Sequence, residues 1–226
     1  MASVRPKILR KAGRPTGSLR GERKEEIVAV ALDVFAESGF HGCSLARVAD
    51  AVGVSQATVL HHVGSKDGLL TEVLHLRDRL DAAQLDASPD PFGWAGFEYM
   101  IDLLEANKAR PNLVSLYVKV ASEALTPGHP AAEWLHSRFD ESIGLLMFSL
   151  QMGINDGSVR PDVPREQVAR TFVALLDGLQ LQWIENPAAV DMGVCARDAL
   201  AAIKVRWGLE PATATAEDWE GVGTSA

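Results

Sequence analysis

Between Ser44 and Lys66 the chain reads SLARVADAVGVSQATVLHHVGSK, two short apolar-periodic runs separated by Gly53. The second run carries hardly any charge. Within it Val59, His62 and Val63 fall at i, i+3, i+4 and share one helix face with an inward destination. Gln56, Ala57, Thr58, Leu60 and His61 then point outward. A Gln amide matches an adenine edge in a bidentate way, and a Thr offers base edges a hydroxyl or a methyl. Lys66 opens the next run and brings positive charge beside backbone N–H groups, a seat for a phosphate. This is the chemistry of a short helix that enters a major groove.

Other constellations carry less. His61 and His62 lie near His41 and Cys43 in sequence, but adjacent helical residues point about 100° apart, which suits separate roles better than one tetrahedral site. His136 and Asp140 at i, i+4 read as a solvated pair. Cys43 and Cys195 lack metal-ligand spacing and read as reduced thiols. The sequence has no nucleophile-plus-base pairing, phosphate-binding Gly loop or metal cluster. No catalytic residue, metal or cofactor is therefore expected, and an enzyme grown onto a DNA-binding end is the weaker alternative.

These side chains need elements to hold them. Ser44 and Ser55 stand where helix N-caps belong, each before an apolar-periodic run, and Gly53 and Gly39 stand where helices stop. ERKEEIVAVALDVFAESG, from Glu22, has Ile27, Val30, Ala31, Val34 and Phe35 at spacings of three and four, so it predicts an amphipathic helix across the two short ones. Beyond Lys66 the pattern predicts helices near 66–86, 91–107, 110–125, 130–155, 164–185 and 191–208, with prolines at the breaks. No stretch sustains period-two alternation. The expected fold class is all-α: an N-terminal three-helix helix-turn-helix domain joined to a larger helical domain.

The chain has 226 residues and a net charge of −8, unevenly spread. Residues 1–66 carry ten Lys and Arg against six acids, a net of +4, and the remainder carries twelve against twenty-four, a net of −12. A basic end on an acidic body marks nucleic-acid binding. The first twenty residues mix Pro and Gly with Arg10, Lys11, Arg14 and Arg20 and read as a flexible arm. Gly13-Arg14-Pro15 is similar to the core of an AT-hook, so the arm either enters an A·T-rich minor groove or attracts phosphates generally. No apolar run reaches the roughly 18–20 residues that span a bilayer, and no secretory signal is apparent, so the expected location is cytoplasmic.

The register of Gly39-Phe40, Ser44, Val48-Ala49, Gly53-Val54-Ser55, Thr58, His62, Ser65-Lys66 and Leu69-Leu70 resembles the DNA-binding domain of the TetR (tetracycline-repressor) family, from about Arg23 to Val73. The resemblance implies a homodimer that represses transcription from double-stranded operator DNA and is released by a small-molecule effector, unidentified and largely apolar. Carried over by position, DNA contacts fall on Ser44, Arg47, Gln56, Thr58, His61 and Lys66. Ala57, Leu60 and Val63 depart from the Gly, Tyr and Phe frequent in the family, and the missing hydroxyl at Leu60 removes a phosphate contact. The resemblance also implies a pocket, for which Met100, Leu104, Tyr117, Met147, Leu150, Phe172, Leu176 and Gln180 are candidates, although each equally fits a core.

The last two helices carry more apolar surface than one stripe buries. Leu175, Leu179, Trp183, Leu200, Ile203 and Trp207 are accordingly expected at a two-fold, four-helix interface, which sets recognition helices about 34–36 Å apart. The expected division is a basic arm over 1–20, a DNA-binding domain over 21–81 with its motif at 44–63, a ligand and dimer domain over 82–208, and an acidic, disordered tail over 209–226. Activation on the same fold, or architectural DNA binding through the arm, are the rival functions.

Overall fold

A computed structural model describes residues 16–84 and 93–209. Arg10, Lys11 and Arg14, and the tail beyond Leu209, lie outside the described residues. The elements are α1 (Thr16–Gly42), α2 (Leu45–Val52), α3 (Gln56–Val63), α4 (Lys66–Gln84), α5 (Ala95–Asn107), α6 (Pro111–Glu123), α7 (Ala132–Asp156), α8 (Arg165–Glu185) and α9 (Met192–Trp207). The only pairing of strand type among the described residues is an isolated bridge between Val159 and Gly208. The all-α expectation therefore holds.

One boundary differs. The arm was expected to run to residue 20, yet α1 begins at Thr16 and takes in Arg20. Leu19, Arg20 and the Glu- and Lys-rich run after Gly21 are good helix formers, so a helix nucleated downstream propagates back through the glycine.

The caps form as their residue types dictate. Ser44 Oγ accepts the Arg47 N–H at 3.1 Å, and Ser55 Oγ accepts the Thr58 N–H at 3.1 Å. Gly53 closes α2 at φ 77°, a left-handed position where a Cβ is unfavourable.

Two apolar cores result. The first joins Ile27 and Phe35 of α1, Val48 of α2, Val59 of α3 and Leu69 of α4 to Leu116 and Val120 of α6. The second joins Phe97 of α5, Leu146 and Leu150 of α7, Phe172 of α8 and Met192 and Leu200 of α9. Helix α6 is the wall between them: Val114 belongs to the second core, and Val118 packs against both. The packing around the short helices thus continues well past residue 81, into α6.

The polar face of α6 holds the end of α1. Lys119 Nζ donates to the carbonyls of Ala36 and Glu37, both at 2.7 Å, and Ser115 Oγ donates to Ala36 O at 2.7 Å. At Gly39 the chain kinks, with φ 70° and ψ −177°. The next two N–H groups, of Phe40 and His41, donate to the Glu123 carboxylate at 2.6 and 3.2 Å. A Cβ on residue 39 would sit 2.5 Å from Glu123 Oε1, in a backbone region open essentially to glycine. Gly39→Ala is expected to destabilise the fold by about 1–3 kcal/mol in urea denaturation. A loss below about 0.5 kcal/mol would show that the kink is not held as described.

Candidate nucleic-acid interface and effector cavity

The outward side of α3 carries the groups expected to read bases. Gln56, Ala57 and His61 are exposed, Leu60 is 38% exposed, and Val59 is fully buried as the anchor beneath them. Thr58 is half-buried, and its Oγ1 lies 2.8 Å from Ser55 Oγ, so its hydroxyl is already part of the cap. Ser44 is likewise a cap, while Arg47 is exposed and paired with Glu37. Lys66 is half-buried, with Nζ 4.3 Å above the Phe40 ring. Gln56 and His61 present their polar groups openly, Ser44 and Thr58 are engaged in helix caps, and Arg47 and Lys66 contact Glu37 and Phe40. His136 and Asp140, expected as a solvated pair, lie 3.3 Å apart with both side chains exposed.

Behind this surface is a histidine that sequence reasoning missed. His129, in the connection from α6 to α7, is only 6% exposed and packs edge-on against Phe40 and His41, at centroid distances of 4.9 and 5.6 Å. Its Nδ1 accepts the Ala131 N–H at 3.1 Å, and its Nε2 is buried without a hydrogen-bond partner. Burial lowers its pKa; Glu123 and Asp67 oppose the shift, while His41 and Lys66 reinforce it. Cys43 is buried too, and desolvation raises its thiol pKa.

A cavity of about 40 Å³, partly open to solvent, lies among α5, α6, α7 and α8. Five of the expected pocket residues line it: Met100, Leu104, Tyr117, Leu176 and Gln180. Leu150 and Phe172 are instead fully buried in the second core, and Met147 borders an open surface groove with Arg165 and Arg170. The cavity also brings in Arg138, Ser142, Asn107 and Asp177, which the sequence did not single out. Asp177 left one legible signal: it shares a helix face with Val173 and Gln180, an acid inside an apolar stripe. Tyr117 donates its hydroxyl to Asp177 Oδ1 at 2.8 Å. Burial and the Asp177 charge push the phenol up to about 12, and burial raises the Asp177 carboxyl.

Next to the cavity, Arg77 of α4 is 1% exposed. It pairs with Asp81 at 3.0 Å and Asp78 at 3.2 Å, and its guanidinium lies over the Tyr117 ring at 5.2 Å. Desolvation and the nearby Arg138 lower its pKa to about 10, so it stays charged at neutral pH.

Three of the six dimer candidates face the protein's own core. Leu179, Trp183 and Leu200 are buried in the second core, and Leu175, Ile203 and Trp207 are half-buried against it. The outward apolar residues of α8 and α9 are Leu181, 57% exposed, Val194, and Val205, 88% exposed. An apolar pattern around more than one face of each helix does not tell which face meets its own core.

Among the described residues, no helix is long and apolar enough to cross a membrane. A capped helix-turn-helix on a larger helical body is the architecture of a DNA-binding regulator. Residues 27–73 match the family model described as bacterial regulatory proteins, tetR family. The repressor AcnR of Corynebacterium glutamicum is 28% identical over 167 residues, covering 73% of this chain and 81% of that protein. The repressor KstR2 of Mycolicibacterium smegmatis is 28% identical over 174 residues, covering 74% and 82%. A crystal structure of a transcriptional regulator from Rhodococcus sp. Rha1 superposes with a TM-score of 0.68 at 27% identity, covering 83% of this chain and 99% of that one. Residues 27–73 thus carry the DNA-binding region of the tetR family, and the similarity of the longer chain to these repressors marks it as a helix-turn-helix transcriptional regulator.

His129 gives this joint a pH dependence of fixed sign. With its folded pKa below the unfolded value of about 6.5, the neutral ring stabilises the fold fully above that value. That stability is lost as pH falls through the folded pKa, because the unfolded chain takes the proton first. Thermal melts should show wild type losing more stability between pH 7.5 and 5.5 than His129→Asn, which keeps an acceptor but does not titrate. Parallel pH profiles for the two proteins would rule the histidine out as the cause.

Proposed function

We propose that the protein is a repressor that holds a pseudo-palindromic operator as a homodimer and releases it when a small molecule enters the cavity. One observation carries this reading: α6 lines the cavity with Tyr117 and grips the end of α1 with Ser115, Lys119 and Glu123. Whatever moves Tyr117 acts on the helix that carries α2 and α3. AcnR and KstR2, the relatives named above, are themselves repressors.

In this reading residues 21–81 are the DNA-binding unit, with the motif at 44–63, and 82–208 hold the effector and the dimer interface. Gln56 and His61 read base edges. Ser44, Arg47, Thr58 and Lys66 serve the backbone contacts, and Arg10, Lys11, Arg14 and Arg20 add attraction for the duplex. A second copy covers the outward sides of α8 and α9, where Ala174, Leu181, Ala201 and Val205 are exposed. The operator favours the conformer whose two α3 helices fit successive major grooves, and the effector favours another. A coupling of about 1–3 kcal/mol changes occupancy roughly 5–150-fold.

Selection from a random duplex library, sequenced for wild type and Gln56→Ala, tests the base-reading half. Wild type should enrich a palindrome with half-sites one helical turn apart. The variant should lose about 1–3 kcal/mol at one position of each half-site without loss of thermal stability. Enrichment of no motif by wild type would mean that α3 does not read bases and would favour architectural binding through the arm.

A further inference from the structure

We infer that the effector is a monocarboxylic acid with an apolar body, and that Arg138 receives its carboxylate. This inference rests on the proposal that the cavity between α5 and α8 is the effector site, and it names the chemistry of that site.

The charges around the cavity are unevenly matched. Arg77 and Arg110 are neutralised by Asp78 and Asp81 of α4, although the Nε of each stays buried without a hydrogen-bond partner. Arg138, on α7, borders the cavity itself and has no carboxylate within ion-pair distance among the described residues. Its guanidinium instead lies over the Tyr117 ring, 4.9 Å from the centroid. The one acid on the cavity wall, Asp177, already accepts the Tyr117 hydroxyl at 2.8 Å. Burial raises the Asp177 carboxyl, and the Tyr117 hydroxyl with the Arg138 and Arg77 charges opposes that shift. The cavity wall thus carries a planar cation with five donors, engaged with Tyr117 and feeling the Asp177 charge but in no ion pair, and its fork matches a carboxylate in two parallel hydrogen bonds.

Neighbouring groups fit the same ligand. Ser142, one turn from Arg138 on α7, brings a hydroxyl to the wall. The Gln180 amide makes only a 3.4 Å contact back to Leu176 O, a bond easily exchanged for a stronger acceptor. Apart from Asn107, whose amide oxygen already accepts from Arg110 at 2.7 Å, the rest of the lining is apolar, and Met100 can reshape around an irregular body. A cationic effector would meet Arg138 first and would have to compete with the Tyr117 hydroxyl for Asp177. A neutral one would leave the guanidinium unpaired.

The cavity volume of about 40 Å³ suits water-sized occupants, so an acid with a substantial body enters only if the walls part. Pairing with Arg138 draws the guanidinium off Tyr117, and the body separates α5 from α8. Both changes bear on α6.

Calorimetric titration of the full-length protein tests the assignment with three matched pairs of ligands: octanoate and benzoate, octylamine and benzylamine, octan-1-ol and benzyl alcohol. At least one acid should bind at least tenfold more tightly than its amine and its alcohol. Arg138→Gln should weaken that acid roughly 10–100-fold while leaving the alcohol within about twofold. Arg138→Lys, which keeps the charge but not the fork, should fall between the two. An amine that binds more tightly than its acid, acid binding that survives Arg138→Gln, or no binding by any of the six would overturn the proposal. Gel shifts on the selected operator separate this question from repression. An acid that binds through Arg138 yet leaves the protein on DNA sinks the release mechanism and leaves the ligand class standing.

Discussion

A helix that must end in the middle of a protein has a backbone problem, and the end of α1 is where this fold meets it. The last carbonyls of a helix have no intrahelical donors, and a chain that turns sharply leaves its next N–H groups unpaired as well. Here α6 supplies both kinds of partner from one face. The Lys119 ammonium serves Ala36 and Glu37, and the Glu123 carboxylate serves Phe40 and His41. The cation meets the carbonyl end and so also opposes the helix dipole. Because α2 and α3 pack on α1, this contact sets where the DNA-reading surface stands relative to the larger domain.

A joint made this way is specific rather than merely adhesive. Apolar surfaces slide past one another at little cost, whereas ion pairs and backbone caps hold one geometry. The buried Arg77 adds to that character. It bridges to Asp78 and Asp81 on its own helix and lies against Tyr117 of α6 and Trp134 of α7, while Trp134 Nε1 donates to Asp78 at 2.9 Å. A buried ion pair is weak evidence for stability, since desolvation offsets most of the attraction. Its effect here is on register: α4, α6 and α7 meet with one set of partners.

The sequence disclosed the DNA-binding unit well because the signals there are local. Ser44, Gly53 and Ser55 define two short helices from within a twelve-residue stretch, and Val59 is buried as its spacing required. Contacts across the chain were not legible. Glu123 meets Phe40 across 83 positions, and nothing near either residue announces the other. His129 carried no local signal because its environment is assembled from Phe40 and His41 of α1, Lys66 and Asp67 of α4 and Glu123 of α6. On α8 and α9, apolar residues extend around more than one face. The period alone therefore could not tell Leu179 and Leu200, which are buried, from Leu181 and Val205, which are exposed. The polar half of the cavity was missed for a related reason: an isolated Arg and Asp on amphipathic helices look like solvated residues until the neighbouring helices enclose them.

The small volume of the cavity bears on how such a regulator works. A ligand shifts an equilibrium only by the difference in its affinity for the two states. A roomy preformed pocket would bind equally in both and switch nothing. With about 40 Å³ in this conformer, an effector of the kind proposed would have to select a different one, and the tightness of the site would supply the differential. The Tyr117–Asp177 hydrogen bond ties α6 to α8 in this conformer, and the grip of Lys119 and Glu123 ties α6 to α1. A body that breaks the first tie moves a helix still bound by the second, and the surface that carries Gln56 moves with it.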